Sequence, residues 1–239
     1  MTTILLIDDS AHVSELFAGA IRSELGYDVD SLTSPSELTD QYLSSHEIDV
    51  AVVDLSFGSE TETGVDALLK LHQSSPSTKL TVLTQGDGWV GDLLRDAWEV
   101  LPLATVMSKS SSVKAQMKTI EQVVRHGSAP PDPVLQPLLP AEKSRWRTLE
   151  GFSRLVPHKG HAKLWAAVVA CGPQAEYQDL AAHSGLRLNA LRNYRAQILP
   201  ELALHGLENP PMRDLYLFAR RCRPFLAPFV EAKGVSLGA

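Results

Sequence analysis

Five side chains of this 239-residue chain have the types and positions to handle a phosphoryl group. Asp8 and Asp9 follow the apolar run 4–7, and Asp54 follows the run 50–53. Thr84 follows the run 80–83, and Lys109 comes just after the run 104–107. Three converging carboxylates would repel and raise one another's pKa. A divalent cation and a nearby ammonium would relieve that repulsion. Oxygen-only ligation with few protein ligands suits Mg²⁺, and Lys109 supplies the ammonium. A carboxylate beside such a cation can act as a nucleophile toward phosphorus. Transfer then depends on positioning and on neutralising the equatorial oxygens, one by Thr84 and one by Lys109. A single Asp in a turn is ordinarily a turn former. Five such residues at four successive run ends are better read as one site.

The elements that would gather them follow from periodicity. Residues 1–125 alternate short apolar runs with helical patterns. Strands are expected at 4–7, 27–32, 50–53, 80–83 and 104–107. Val13, Leu16, Phe17, Ala20, Ile21 and Leu25 give one helix face. A second helix is expected from Pro35 to about Leu43, a third around residues 65–71, a fourth over 90–100 and a fifth from Val113 to Val124. Five strands alternating with five helices imply an α/β fold with a doubly wound parallel sheet, which collects functional groups at the strands' carboxyl ends.

At this point a resemblance enters. The strings ILLIDDS, VAVVDLS, TVLTQ and VMSKSSS make residues 1–125 resemble the flavodoxin-like receiver domain of bacterial response regulators. The resemblance implies that Asp54 is the phosphoacceptor, with a sensor histidine kinase as donor. It implies Mg²⁺ held directly by Asp9, through water by Asp8, and by Asp54 and the backbone carbonyl of Ser56. Thr84 and Lys109 become the phosphate-sensing pair. Four departures concern switching rather than phosphorylation chemistry. The loop LSFGSETET after Asp54 is long and lacks a proline. Gln85 follows Thr84, Ser110 follows Lys109, and Val106 stands where the family usually places Tyr or Phe.

Residues 126–140, HGSAPPDPVLQPLLP, are proline-rich and read as a semi-rigid linker. Beyond it, residues 141–239 read as an all-α domain with helices over 142–155, 161–170, 177–183, 189–199 and 212–221. In the window from Tyr177, Leu180, Ala181, Gly185, Leu186, Leu191 and Tyr194 have helix-turn-helix spacing. Gly185 would permit the left-handed turn between the helices. The second helix, expected to stop before Pro200, would offer Arg187, Asn189, Arg192, Asn193 and Arg195 to bases and phosphates. This half resembles the LuxR-type (NarL/FixJ-like) effector, with more sequence before the motif and a longer tail carrying Arg213, Arg220, Arg221 and Arg223.

Charge supports the division. Residues 1–125 hold 8 basic and 19 acidic residues, a net of −11, while the remainder hold 14 and 9, a net of +5. An acidic half would keep clear of nucleic acid and a basic half would approach it. No apolar run reaches membrane-spanning length, and the N-terminus lacks a basic segment ahead of a hydrophobic stretch. With Cys171 and Cys222 as the only cysteines, a reduced, cytoplasmic setting is expected. His158, His161 and Cys171 lack a fourth zinc ligand at usual spacing. Trp146, Trp165 and Tyr177 are expected to be packing residues.

The sequence therefore reads as a non-enzymatic regulator that binds double-stranded DNA as a homodimer. Alternatives are an RNA- or protein-binding output, or regulation without phosphate. A hydrolase using Asp8 is disfavoured because its acids are adjacent rather than spaced Asp-x-Asp.

Overall fold

The computed structural model describes residues 2–57, 63–86 and 88–238. The chain divides into two compact units, Met1–Glu142 and Lys143–Ala239.

In the first unit, β1 (Thr3–Ile7), β2 (Asp28–Leu32), β3 (Val50–Val53), β4 (Lys79–Thr84) and β5 (Leu103–Ser108) form one sheet. The order is β2-β1-β3-β4-β5 and every neighbouring pair is parallel. Residues 4–7 and all of β3 are buried, which is why these runs are unbroken rather than alternating. The helices are α1 (Ala11–Ala20), α2 (Asp40–Ser45), α3 (Gly64–Ser74), α4 (Trp89–Val100) and α5 (Val113–His126). This is a flavodoxin-like fold.

Local differences from the expected elements have physical causes. Of the expected helix face, Phe17 and Ile21 are buried and Ala20 and Leu25 pack against the core, but Val13 and Leu16 are 46% and 65% exposed. Ser14 and Ala18 are buried in addition, so the inward face is rotated only at its start. The helix expected from Pro35 to Leu43 is a 3-10 turn, Pro35–Glu37, followed by α2. Two separate caps explain the break: Ser34 accepts from Ser36 N, and Thr39 accepts from Tyr42 N.

The segment 126–140 departs furthest from expectation. It belongs to the first unit and is laid along the outer edge of β5 rather than spanning open space. Ala129 N donates to Ala104 O at 3.0 Å and Asp132 N to Val106 O at 2.9 Å. Leu135 is buried. Prolines lack N–H donors, but Ala129 and Asp132 supply them where an edge strand's carbonyls need partners.

The second unit is helical: α6 (Leu149–Arg154), α7 (Lys159–Cys171), α8 (Tyr177–Ser184), α9 (Leu188–Leu204), α10 (Met212–Arg221) and α11 (Arg223–Glu231). Its core centres on Trp165, Phe152 and Phe225, with Trp165 Nε1 donating to Leu155 O at 2.9 Å. Trp146, in contrast, is 47% exposed. The helix expected over 142–155 shrinks to α6, started by Thr148, whose hydroxyl accepts from Gly151 N. The second motif helix runs through Pro200 instead of stopping before it. Pro200 and Ala196 are both exposed, so water can satisfy the carbonyl that the proline leaves without a donor. Helix α11, which sequence patterning missed, begins with Pro224 in its first turn, where a missing N–H costs nothing.

Candidate functional site

The sheet register builds the first site. Ile7 pairs with Val53, so Asp8 and Asp54 emerge side by side one residue beyond. Thr84 pairs with Ser108, and Lys109 N donates to Thr84 O at 2.9 Å, tying the ends of β4 and β5 together. Strand order reverses between β1 and β3, where open α/β sheets leave a crevice. Helix α3 starts against this point. Thr63 N donates to Asp66 Oδ2, closing a capping box. A Cβ on Gly64 would strike the Asp54 carbonyl oxygen, so only glycine permits this approach.

Lys109 bridges two carboxylates. Its Nζ lies 2.6 Å from Asp8 Oδ2 and 2.9 Å from Asp54 Oδ2. Asp8 and Asp54 are buried while Asp9 is exposed at the mouth. Burial pushes the Asp54 carboxyl up from the usual carboxylate range, against the opposing pull of Lys109. The Lys109 ammonium is pulled down by burial, but Asp8 and Asp54 outweigh this and raise it. Oxygens of Asp8, Asp9 and Asp54 lie within 4.8 Å of one another, a hard donor set that fits a small divalent cation. Beside them opens a cavity of about 330 Å³ lined by Asp9, Asp54, Ser56, Phe57, Thr84, Gln85, Val90 and Lys109. The arrangement provides a buried carboxylate, a cation within reach of it, and room for a tetrahedral anion.

All the sequence-expected residues of this site therefore come together, Thr84 buried and Ser56 on the cavity wall. Residues 58–62 of the long loop lie outside the described residues. Gly64 and Phe57 were missed. Of these only Gly64 carried a signal, a glycine opening a helix.

The second unit carries the helix-turn-helix. Gly185 ends α8 at φ +66°, and Leu180 and Leu191 are fully buried between the helices. Tyr194 packs into α7, where a Cβ on Gly160 would meet its ring, and lies 4.9 Å from the His161 ring. Arg187, Asn189, Arg192 and Asn193 are exposed along the start of α9, with the Arg192 guanidinium 5.5 Å from the Tyr177 ring centroid. Arg195 does not join them. It is half-buried, donating to Tyr177 Oη at 2.8 Å and to the carbonyl of Pro210. Its geometry clamps α8, α9 and the loop before α10 together. Of the tail arginines, Arg223 donates to Gly238 O at 2.9 Å. His158 and His161 have ring centroids 5.7 Å apart, and Cys171 and Cys222 are not joined in a disulfide. Among the described residues, the three aspartates form the one acidic, cysteine or histidine group with metal-binding geometry.

No protein-family model and no curated protein matches this chain. Solved structures do. The structure titled as two RcsB dimers bound to two parallel DNAs is similar over 90% of this chain and 97% of its own, with TM-score 0.50 and 16% identity. A LuxR-family DNA-binding response regulator from Silicibacter pomeroyi covers 56% of this chain and 98% of its own, at TM-score 0.46 and 17% identity. The isolated receiver domain of RcsB from Salmonella enterica serovar Typhimurium covers 58% and 99%, at TM-score 0.47 and 15% identity. At these identities the likeness is one of fold: a five-stranded parallel α/β unit followed by a helical unit.

Proposed function

We propose that this chain is a response regulator that accepts a phosphoryl group on Asp54 and binds DNA through α9. The observation that carries the reading is the bridging of Asp8 and Asp54 by Lys109 beside an anion-sized cavity. In the proposed reaction an Asp54 carboxylate oxygen attacks phosphorus. The new O–P bond forms as the N–P bond of a kinase phosphohistidine breaks, and the imidazole leaves with the electron pair. Asp8, Asp9, Asp54 and the Ser56 carbonyl would hold Mg²⁺, which when bound supplies charge neutralisation at the phosphoryl oxygens. Lys109 pairs with one oxygen and Thr84 donates to another. Burial raises the Asp54 carboxyl pKa and Lys109 opposes that shift, favouring the ionised nucleophile.

For the output, Arg187 and Arg192 suit guanine edges or phosphates, and Asn189 and Asn193 suit adenine. The whole-chain likeness to a DNA-bound dimer supports DNA as target and a homodimer as the binding form. Two recognition helices would then reach half-sites about 34 Å apart. We also propose the functional division as an acidic receiver, a proline-rich segment and a basic effector over 141–239. No helix among the described residues is long and apolar enough to cross a membrane.

The test is labelling by a small phosphodonor with Mg²⁺, wild type beside Asp54→Asn. Label confined to wild type is expected. Equal labelling overturns the assignment of Asp54.

A further inference from the structure

The proline-rich segment touches both strand ends that carry the phosphate-sensing residues. Asp132 is its pivot. Asp132 Oδ2 accepts from Ser111 Oγ at 2.6 Å and from Ser108 N at 3.3 Å, on either side of Lys109. Its other oxygen accepts from Val134 N at 2.9 Å, starting the turn that delivers Leu135. Leu135 is 1% exposed and packs on Gly86, two residues after Thr84. A Cβ at Gly86 would come within 2.5 Å of Leu135 Cδ2, so the contact has no slack. Arg95 Nε on α4 donates to Leu138 O at 3.3 Å, closing the far end.

We propose that residues 129–138 form an intramolecular clasp whose grip is set by the charge state of the Asp54 site. The clasp rests on the reading of Asp54 as phosphoacceptor. A phosphoryl group there offers new oxygens to Thr84 and Lys109. The Lys109 N to Thr84 O bond makes the two strand ends respond together. Displacement of residues 84–86 opens the Leu135–Gly86 contact, and displacement of 108–111 strains the Asp132 bonds. Loading the site loosens the clasp. Release uncovers the β5 edge and lengthens the tether to Lys143, by up to about 3 Å per residue where the chain becomes extended. This relay does not use the side chain of Val106, which is fully buried; Val106 takes part only through its carbonyl, which accepts from Asp132 N.

The experiment loads the full chain with beryllofluoride and Mg²⁺ and reads two signals. Fluorine NMR reports occupancy of the carboxylate site, and hydrogen exchange reports the amides of residues 129–138. Bound fluoride with roughly ten-fold or greater acceleration of exchange supports the clasp. Bound fluoride with unchanged exchange overturns the clasp and leaves the phosphoacceptor reading standing. Absence of bound fluoride overturns both. Reciprocity adds a second test: a loosened clasp must favour the loaded state. Asp132→Ala and the stronger Leu135→Ser should bind beryllofluoride about 5-fold tighter or more. If either variant exchanges fast at 129–138 yet binds beryllofluoride with wild-type affinity, the segment is packing only and the coupling is overturned.

Discussion

Lys109 and Arg192 show two ways to place a cation. The Lys109 side chain is 21% exposed and lies between two carboxylates that are nearly buried. Arg192 stands exposed on α9, steadied by the Tyr177 ring. Fixed geometry suits group transfer, where an ammonium displaced by an ångström loses its value. An exposed guanidinium on a steadied stem suits a long, charged partner reached by diffusion, and it contributes little to folding. Cations in the first unit should therefore matter to stability and chemistry, and those on α9 mainly to binding.

The sharpest way to break this contrast is to remove the two cations in turn. Lys109→Ala leaves Asp8 and Asp54 facing each other without their counter-ion. We expect a loss of about 3 kcal/mol in metal-free urea unfolding, partly restored by Mg²⁺. Arg192→Ala should shift the same midpoint by under about 0.5 kcal/mol. Equal losses would erase the distinction.

Acid should separate the units as well. In the second unit the His205 ring packs against Phe152 in a tilted arrangement, with centroids 4.7 Å apart. Burial, aided by the charge of Arg147, lowers its pKa from 6.5 to about 4. The folded state binds this proton less tightly than the unfolded chain. Stability linked to His205 is therefore complete above pH 6.5 and is lost as pH falls toward 4, by roughly 3 kcal/mol. Asp54 has the opposite sign. Its raised carboxyl pKa means that the folded first unit binds this proton more tightly, so this group alone favours folding as pH falls. Thermal unfolding from pH 7 to 4 should show the second unit weakening, and His205→Phe should remove that slope. A slope that survives the substitution would locate the proton elsewhere.

Two glycines give a smaller, local version of the comparison. Gly64→Ala drives a methyl into the Asp54 carbonyl oxygen, and the backbone of a central strand has little freedom to retreat. A loss of about 2 kcal/mol and slower phosphodonor labelling are expected. At Gly185 nothing obstructs a Cβ, and the objection is only the left-handed φ of +66°. Gly185→Ala should cost about 1 kcal/mol and leave labelling untouched. Denaturant unfolding and a labelling time course measure both.

These residues also show what sequence can carry. Asp8, Asp9, Asp54, Thr84 and Lys109 were legible because a strand's end is a one-dimensional property, and sheet topology does the rest. The phase of α1 was legible only in part, with Phe17 and Ile21 buried as expected. Val13 and Leu16 look like core residues until Ala18 and Ser14 prove to be the ones close to the sheet. Proline content excluded an α-helix from 127–140, where the 3-10 turn Gln136–Leu138 forms instead, yet it says nothing about lateral packing. That depends on β5 being an edge with open carbonyls at Ala104 and Val106. The engagement of Arg195 was not legible for a related reason. Its position on the helix faces the expected flank, but Pro210, distant in sequence, supplies a carbonyl that captures it.

That capture makes the last prediction the most discriminating within α9. Arg187 and Arg192 are exposed, so replacing either with Ala should reduce the salt slope of DNA binding by about 0.9 if it meets a phosphate. If either instead reads guanine, the loss is about 1–3 kcal/mol at one base position with the slope retained. Folding is expected to change by under about 0.5 kcal/mol in both cases. Arg195→Ala should behave in the opposite sense. It removes donors from Tyr177 Oη and the Pro210 carbonyl, so it should lower the stability of the second unit by about 1–2 kcal/mol. Its effect on DNA affinity should then follow the folded fraction and leave the salt slope intact. A titration across salt concentrations, paired with unfolding curves for all three variants, distinguishes the clamp from the contacts. If Arg195→Ala lowers the slope like its neighbours, Arg195 reaches the phosphates in the bound state and the clamp opens on binding.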